Sequence, residues 1–160
     1  MKICDFGLAR SLFADKYSHD VVLTEEVATR WYRAPEVLLG SSSYGKSADI
    51  WSMGCILAEV LIGKPLFPGS STLNQIEKII SFTGKPTKME IDSLNADNAF
   101  TMIEQVGSTK QKPLNEWFKA GTSPEAIDLV VKMLSFNPKK RPTAAEILKK
   151  SYLASFSNPK

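Results

Sequence analysis

Between Ser47 and Ile62 the sequence offers almost no polar face. Ile50, Trp51, Met53, Cys55, Ile56, Leu57, Val60, Leu61 and Ile62 lie on every side of a helical wheel, and a helix apolar nearly all round must be covered by other elements. Gly63 follows directly, the residue type that best adopts the left-handed conformation closing a helix. A central buried helix over 47–62 therefore demands a shell. The chain has 160 residues, 43% of them apolar, enough for one domain with its own core and too few for a second full one.

The shell is legible as further helices. Leu73, Ile76, Ile79 and Ile80 share one face, so the spacing predicts a surface helix over 73–82, ending near Gly84 and Pro86. Ser123 as cap and Pro124 at the first helical position open another, carrying Ile127, Val130, Val131 and Leu134 and breaking at Asn137-Pro138. Thr143 with Glu146 three residues on forms a capping box for a last helix running through Ile147 and Leu148 towards Tyr152. These final helices span 123–153. Residues 85–117 read as an insert of short helical turns joined by loop, on Asp92, Asn95, Asp97 and Asn98 and then the Gly107 to Pro113 run. Strand signal is nearly absent, so the predicted fold is mainly α. Residues 157–160 have turn composition and nothing to bury, which predicts a loose tail.

Charge and cysteine content narrow the functions. Twenty Lys and Arg against 17 Asp and Glu leave a formal charge of +3, too little to argue for nucleic acid or a membrane as partner. Cys4 and Cys55 form no C-x-x-C pair and the chain has one histidine, His19, so no zinc constellation is in view. Two free thiols fit a reducing compartment. No apolar run reaches the roughly 18 to 20 residues of a membrane span. The expected product is soluble and intracellular.

The chemistry lies in the first forty residues. Asp5-Phe6-Gly7 can hold a carboxylate towards Mg²⁺, a hard cation that prefers oxygen, with Gly7 letting the backbone turn sharply behind it. Alone, that tripeptide says little. Here Ile3 to Arg10 is followed by Ala28-Thr29-Arg30-Trp31-Tyr32-Arg33-Ala34-Pro35-Glu36 and then Ala48-Asp49-Ile50-Trp51-Ser52-Met53-Gly54. Three motifs in this order are specific. The sequence resembles the C-terminal lobe of a eukaryotic protein kinase, starting at the Asp-Phe-Gly motif with an activation segment over 5–36. Within that family it resembles the mitogen-activated protein kinases over nearly its whole length, residues 1–156. Thr24-Glu25-Glu26 stands where that group has its Thr-x-Tyr motif, and Leu66-Phe67-Pro68-Gly69, the insert and Asn137 to Thr143 look similar as well. Cyclin-dependent kinases share the Trp-Tyr-Arg-Ala-Pro-Glu run and are the neighbouring alternative.

The resemblance implies roles that the side chains can fill. Asp5 would bind the Mg²⁺ that bridges ATP phosphates, with Cys4 lining the floor under the nucleotide. Thr24 would be the activating phosphosite, its phosphate paired by Arg10 in two-pronged fashion. Thr29, Arg30 and Trp31 would shape the floor for the residue after the phosphoacceptor, where this family accepts proline. Glu36 would pair with Arg141 inside the lobe. Asp49 would accept backbone hydrogen bonds near the catalytic loop. Trp31 and Trp51 also read as packing residues.

Two departures from the family pattern carry expectations. Glu26 replaces the second phosphosite, a tyrosine, so a fixed single negative charge would face Arg30 and Arg33. The chain also contains no Gly-rich phosphate loop, no strand lysine with its glutamate partner and no His-Arg-Asp loop. ATP and Mg²⁺ are then cofactors of the complete kinase, neither expected to bind tightly to this chain, which alone should be inactive. In complete form it would phosphorylate Ser or Thr before Pro, under an upstream activating kinase, in the cytoplasm or nucleus. The alternatives are a noncatalytic interaction module and a nonfunctional truncated product.

Overall fold

The computed structural model describes residues 4, 6, 30–41 and 44–153. Among them the chain is helical, without strands: α1 Pro35–Leu38, α2 Lys46–Ile62, α3 Thr72–Thr83, α4 Lys88–Asp92, α5 Ala99–Val106, α6 Pro124–Met133 and α7 Ala144–Leu148. Two 3-10 turns, Leu114–Glu116 and Pro138–Lys140, join the later helices. The tail over 157–160 lies outside the described residues.

α2 is the axis. It ends where Gly63, at φ 79°, donates its N–H to the Glu59 carbonyl at 2.7 Å. α6 packs against it, and Gly54 sets the approach: a Cβ there would meet Leu134 Cδ2 at 2.9 Å and Met133 Cβ at 3.0 Å. The aromatic rings tie the remaining pieces on. Trp51 stacks on Phe67 with centroids 5.9 Å apart, Phe67 and Phe82 meet edge to face at 5.7 Å, and Trp117 joins Phe82 at 5.4 Å. Each such buried aromatic pair adds about 0.5–1.5 kcal/mol beyond its area. One cluster thereby fastens α2, the 63–71 connection, α3 and the end of the insert.

α2 differs from the sequence expectation on one side. Trp51, Cys55, Ala58 and Ile62 are buried, whereas Met53, Ile56 and Val60 are 41%, 37% and 75% exposed. An apolar wheel states that cover is needed without saying where it comes from. Here α6, the 138–140 turn and Phe67 of the 63–71 connection supply it, and Met53, Ile56 and Val60 face away from that cover.

α3 runs one residue beyond each expected end, Thr72–Thr83, whereas α6 and α7 begin at their marked caps and end earlier than composition suggests. Ser71 caps α3, its hydroxyl accepting from Asn74 N at 3.1 Å, and the helix buries Ile76, Ile79 and Ile80 while Leu73 at its start stays exposed. Ser123 caps α6 with Pro124 in the first turn, and the helix stops at Met133, short of Asn137-Pro138. The Thr143–Glu146 box opens α7. It breaks after Leu148, where the Lys149 and Lys150 N–H groups bond back to the Glu146 and Ile147 carbonyls and tighten the turn, and the chain is helical again over 151–153.

The insert is more ordered than its composition implies. Thr87 and Glu90 make a second reciprocal capping box at α4, and Lys140 reaches Glu90 at 2.8 Å. α5 lies on α3 through the buried Ile103. Lys112 N donates to the Ser81 carbonyl at 2.8 Å and Gln111 Nε2 to that of Phe82 at 3.0 Å, pinning the insert to the end of α3.

Candidate functional site

Segment 30–41 is held at two places, and these define the site. Its C-terminal hold is an ion pair sunk in the core. Pro35 opens the short helix α1, which turns Glu36 inward, and the chain distance to Arg141 is bridged by two parallel contacts of 2.7 Å, Nη1 to Oε1 and Nη2 to Oε2. Both side chains are sealed from solvent, at 0% and 2% exposure. Arg141 also donates Nε to the Ser135 carbonyl at 2.9 Å, Nη1 to Ser47 at 2.9 Å and Nη2 to Phe136 at 3.1 Å. All five guanidinium N–H donors thus have acceptors, the condition under which burying such a charge is tolerable. The Trp51 ring lies 5.0 Å from the guanidinium carbon. One arginine binds α1, α2 and the 134–141 turn together.

The N-terminal hold uses hydrogen bonds between neutral groups, with one long contact from the Arg30 guanidinium beside them. Trp31 Nε1 donates to the Gly69 carbonyl at 3.0 Å. Gln75, fully buried in α3, accepts from Gly69 N at 3.0 Å and donates to the Trp31 carbonyl at 3.3 Å. Arg30, buried, reaches the Ser70 carbonyl at 3.5 Å. Gly69 has no room for a side chain: a Cβ there would stand 2.4 Å from Gln75 Oε1. Behind this shelf Tyr32 donates its hydroxyl to Glu59 Oε2 at 2.7 Å, and Ser52 donates to the Tyr32 carbonyl at 2.9 Å. The hydrogen bond to Glu59, assisted by burial and the carboxylate's charge, raises the Tyr32 pKa from 10.0 to about 12.

The residues singled out by sequence fall into three sets. Glu36 and Arg141 meet, and Arg30 and Trp31 share the shelf. Arg33 projects from the same turn with no ion pair among the described residues, and Asp49 is exposed in the first turn of α2, with no hydrogen-bond partner there. Asp5, Arg10, Thr24, Glu26 and Thr29 lie outside the described residues; Cys4 is exposed. Tyr32 and Gly69 stand inside quoted motifs without an assigned role, and Gln75 and Glu59 went unmarked in the sequence reading. Gln75 alone left a trace, as an amide between apolar neighbours of α3.

A buried carboxylate–guanidinium pair below an aromatic shelf, on a helical lobe built round α2, agrees with the family comparison. The protein kinase domain family matches residues 1–153. The chain belongs to the protein kinase family. It is 51% identical over 99% of its length to mitogen-activated protein kinase 15 of Xenopus laevis, covering 27% of that protein. It is 46% identical to extracellular signal-regulated kinase 2 of Dictyostelium discoideum and 45% identical to mitogen-activated protein kinase PMK1 of Pyricularia oryzae, covering 43% and 44% of them. The kinase chain therefore spans less than half the length of these curated relatives. Its fold is the C-terminal lobe of the protein kinase fold, of the mitogen-activated type.

The family uses ATP with Mg²⁺. Among the described residues of this kinase lobe no group of three or more His, Cys, Asp or Glu side chains could hold a metal ion. Assignment of Mg²⁺ to Asp5 accordingly rests on its sequence motif. No helix among the described residues is long and apolar enough to cross a membrane.

Proposed function

We propose that this lobe serves a kinase which, in complete form, transfers the γ-phosphate of ATP to Ser or Thr followed by Pro. The carrying observation is that every one of five backbone carbonyls of the shelf already accepts a hydrogen bond from within the lobe. The carbonyls of Arg30, Trp31, Tyr32, Gly69 and Ser70 accept from Arg33 N, Gln75 Nε2, Ser52 Oγ, Trp31 Nε1 and Arg30 Nη1. A substrate residue packed on such a surface gives up water for its N–H and meets only carbonyls that are already engaged, which costs it up to about 1–3 kcal/mol. Proline has no N–H to lose, and its fixed φ presents a rigid face to the indole.

The test uses the full-length kinase and peptides that differ only after the phosphoacceptor. Replacing Pro by Ala should lower kcat/KM by about tenfold or more, the factor matching about 1.4 kcal/mol. N-methylalanine, which also lacks the N–H, should recover part of the loss. Equal turnover of all three would refute the reading.

In the same proposal Asp5 would hold Mg²⁺, and the ion's charge would supply electrostatic stabilisation for phosphoryl transfer. Phosphorylation of Thr24, ordered by Arg10, activates the enzyme, and Glu26 places a fixed negative charge towards Arg30 and Arg33 where relatives of this type would carry phosphotyrosine. Activation then depends on Thr24 alone. Glu26→Gln should weaken activity and Glu26→Tyr should impose a second phosphorylation; unchanged activity in both would contradict this. The 160-residue chain alone should show no ATP-dependent phosphorylation, since it contains no phosphate loop or catalytic-loop aspartate. Protein substrates and an upstream kinase are the partners this reading implies.

A further inference from the structure

A groove of about 540 Å³ runs where the 63–71 connection meets the end of α3 and the last turn of the insert. Its rim carries Lys64, Lys78, Lys112 and Lys119 against a single acid, Glu116. That local excess of three positive charges equals the formal charge of the whole chain, +3, so charge balanced elsewhere is concentrated here. None of the four lysines has an ion pair among the described residues, whereas Lys85, Lys132 and Lys140 on other faces are paired at 2.9, 2.6 and 2.8 Å. Between the lysines the wall is mixed: Ser81 and Asn115 are polar, while Pro65, Pro68 and Trp117 present the accessible apolar surface, the Trp117 ring lying 5.8 Å below the Lys112 ammonium.

The groove is also built before any ligand arrives. The Lys112 and Gln111 hydrogen bonds to α3 fix one wall, and the edge-to-face packing of Trp117 and Phe118 on Phe82 fixes the floor. Little ordering cost remains for a partner to meet. Pro68 lines the groove while its neighbour Gly69 belongs to the proline shelf, so an occupant would lie beside the substrate path.

We infer that this groove docks an acidic peptide segment of a protein partner, with an apolar side chain seated on Trp117, Pro65 and Pro68 and flanking carboxylates facing the four lysines. A free phosphate would use the lysines and leave the apolar floor unmatched. The complementary arrangement, apolar centre with charged rim, is that of a protein interface.

Fluorescence anisotropy on the full chain tests this with a short labelled peptide of Asp and Glu around a central Leu-Phe. Saturable binding should weaken about tenfold or more in Lys64→Glu/Lys119→Glu and measurably in the milder Lys78→Ala/Lys112→Ala, and should fall with added salt. Lys149→Glu/Lys150→Glu, on the far helix, should bind as the parent does. Replacing Leu-Phe by Ser-Ser should also cost most of the affinity. No saturable binding, equal loss in the Lys149/Lys150 control, indifference to Leu-Phe, or preference for phosphatidylserine vesicles over the peptide would each overturn the inference.

Discussion

The two holds on segment 30–41 lie a few residues apart and are built on opposite principles. At Glu36 two full charges are sealed together in the core with every guanidinium proton used. At Trp31 no full charge lies in the contact; amide and indole groups exchange hydrogen bonds at the edge of the lobe. A buried ion pair tolerates nothing but its exact partner, because a surviving lone charge is expensive. A neutral network can yield and re-form. The first arrangement suits a fixed anchor, and the second suits the working surface proposed for it.

The largest effect should come from breaking the anchor. Arg141→Leu leaves the Glu36 carboxylate buried and unpaired and should cost about 3–5 kcal/mol in urea unfolding. Glu36→Gln/Arg141→Leu together should recover much of that, since both charges are then gone. A loss that is simply additive would deny the pair its special role.

The next effect tests the shelf. Gly69→Ala forces a Cβ into Gln75 and should cost about 1–3 kcal/mol as overpacking. Gln75→Leu strands Gly69 N–H and the Trp31 carbonyl, costing about 1–3 kcal/mol, and should erode proline selection besides. If the shelf served only stability, the two variants would leave peptide preference intact.

Smaller effects separate the groups around these holds. Tyr32→Phe removes one hydrogen bond to Glu59, about 0.5–1.5 kcal/mol. The phenol's raised pKa favours the protonated form in the folded state. Its stabilisation is thus fully present below pH 10 and lost as pH climbs through about 12, so parent and Tyr32→Phe should converge in alkaline melts. Cys55, pushed up to about 12 chiefly by burial, should stay unreactive to a thiol reagent at neutral pH until the lobe unfolds, while exposed Cys4 reacts at once. Smallest, Thr143→Ala should cost about 1 kcal/mol by removing a cap.

The sequence carried those parts of the lobe that are encoded locally. Thr143 with Glu146, Ser123 with Pro124 and Gly63 mark helix ends within a few residues of one another, and they stand at helix ends in the structure. Thr87 and Glu90 have the same spacing, yet no long apolar run follows them, and the box at α4 went unread. The exposed side of α2 could not be read because Val60 looks like Ile62 in a sequence; only the neighbours differ. Contacts such as Tyr32 with Glu59 or Gln75 with Trp31 join residues 27 and 44 positions apart, and no local pattern announces them. Glu36 with Arg141, 105 apart, was legible solely through the family resemblance.

The most direct test of the division between anchor and working surface is the ratio of kcat/KM for Ser-Pro over Ser-Ala peptides in full-length kinase carrying Gln75→Leu. It should fall about tenfold from the parent value, since the freed Trp31 carbonyl would now accept a substrate N–H. An unchanged ratio, with the variant folded and turning over Ser-Pro peptide at the parent rate, would contradict the assignment of this shelf to proline selection.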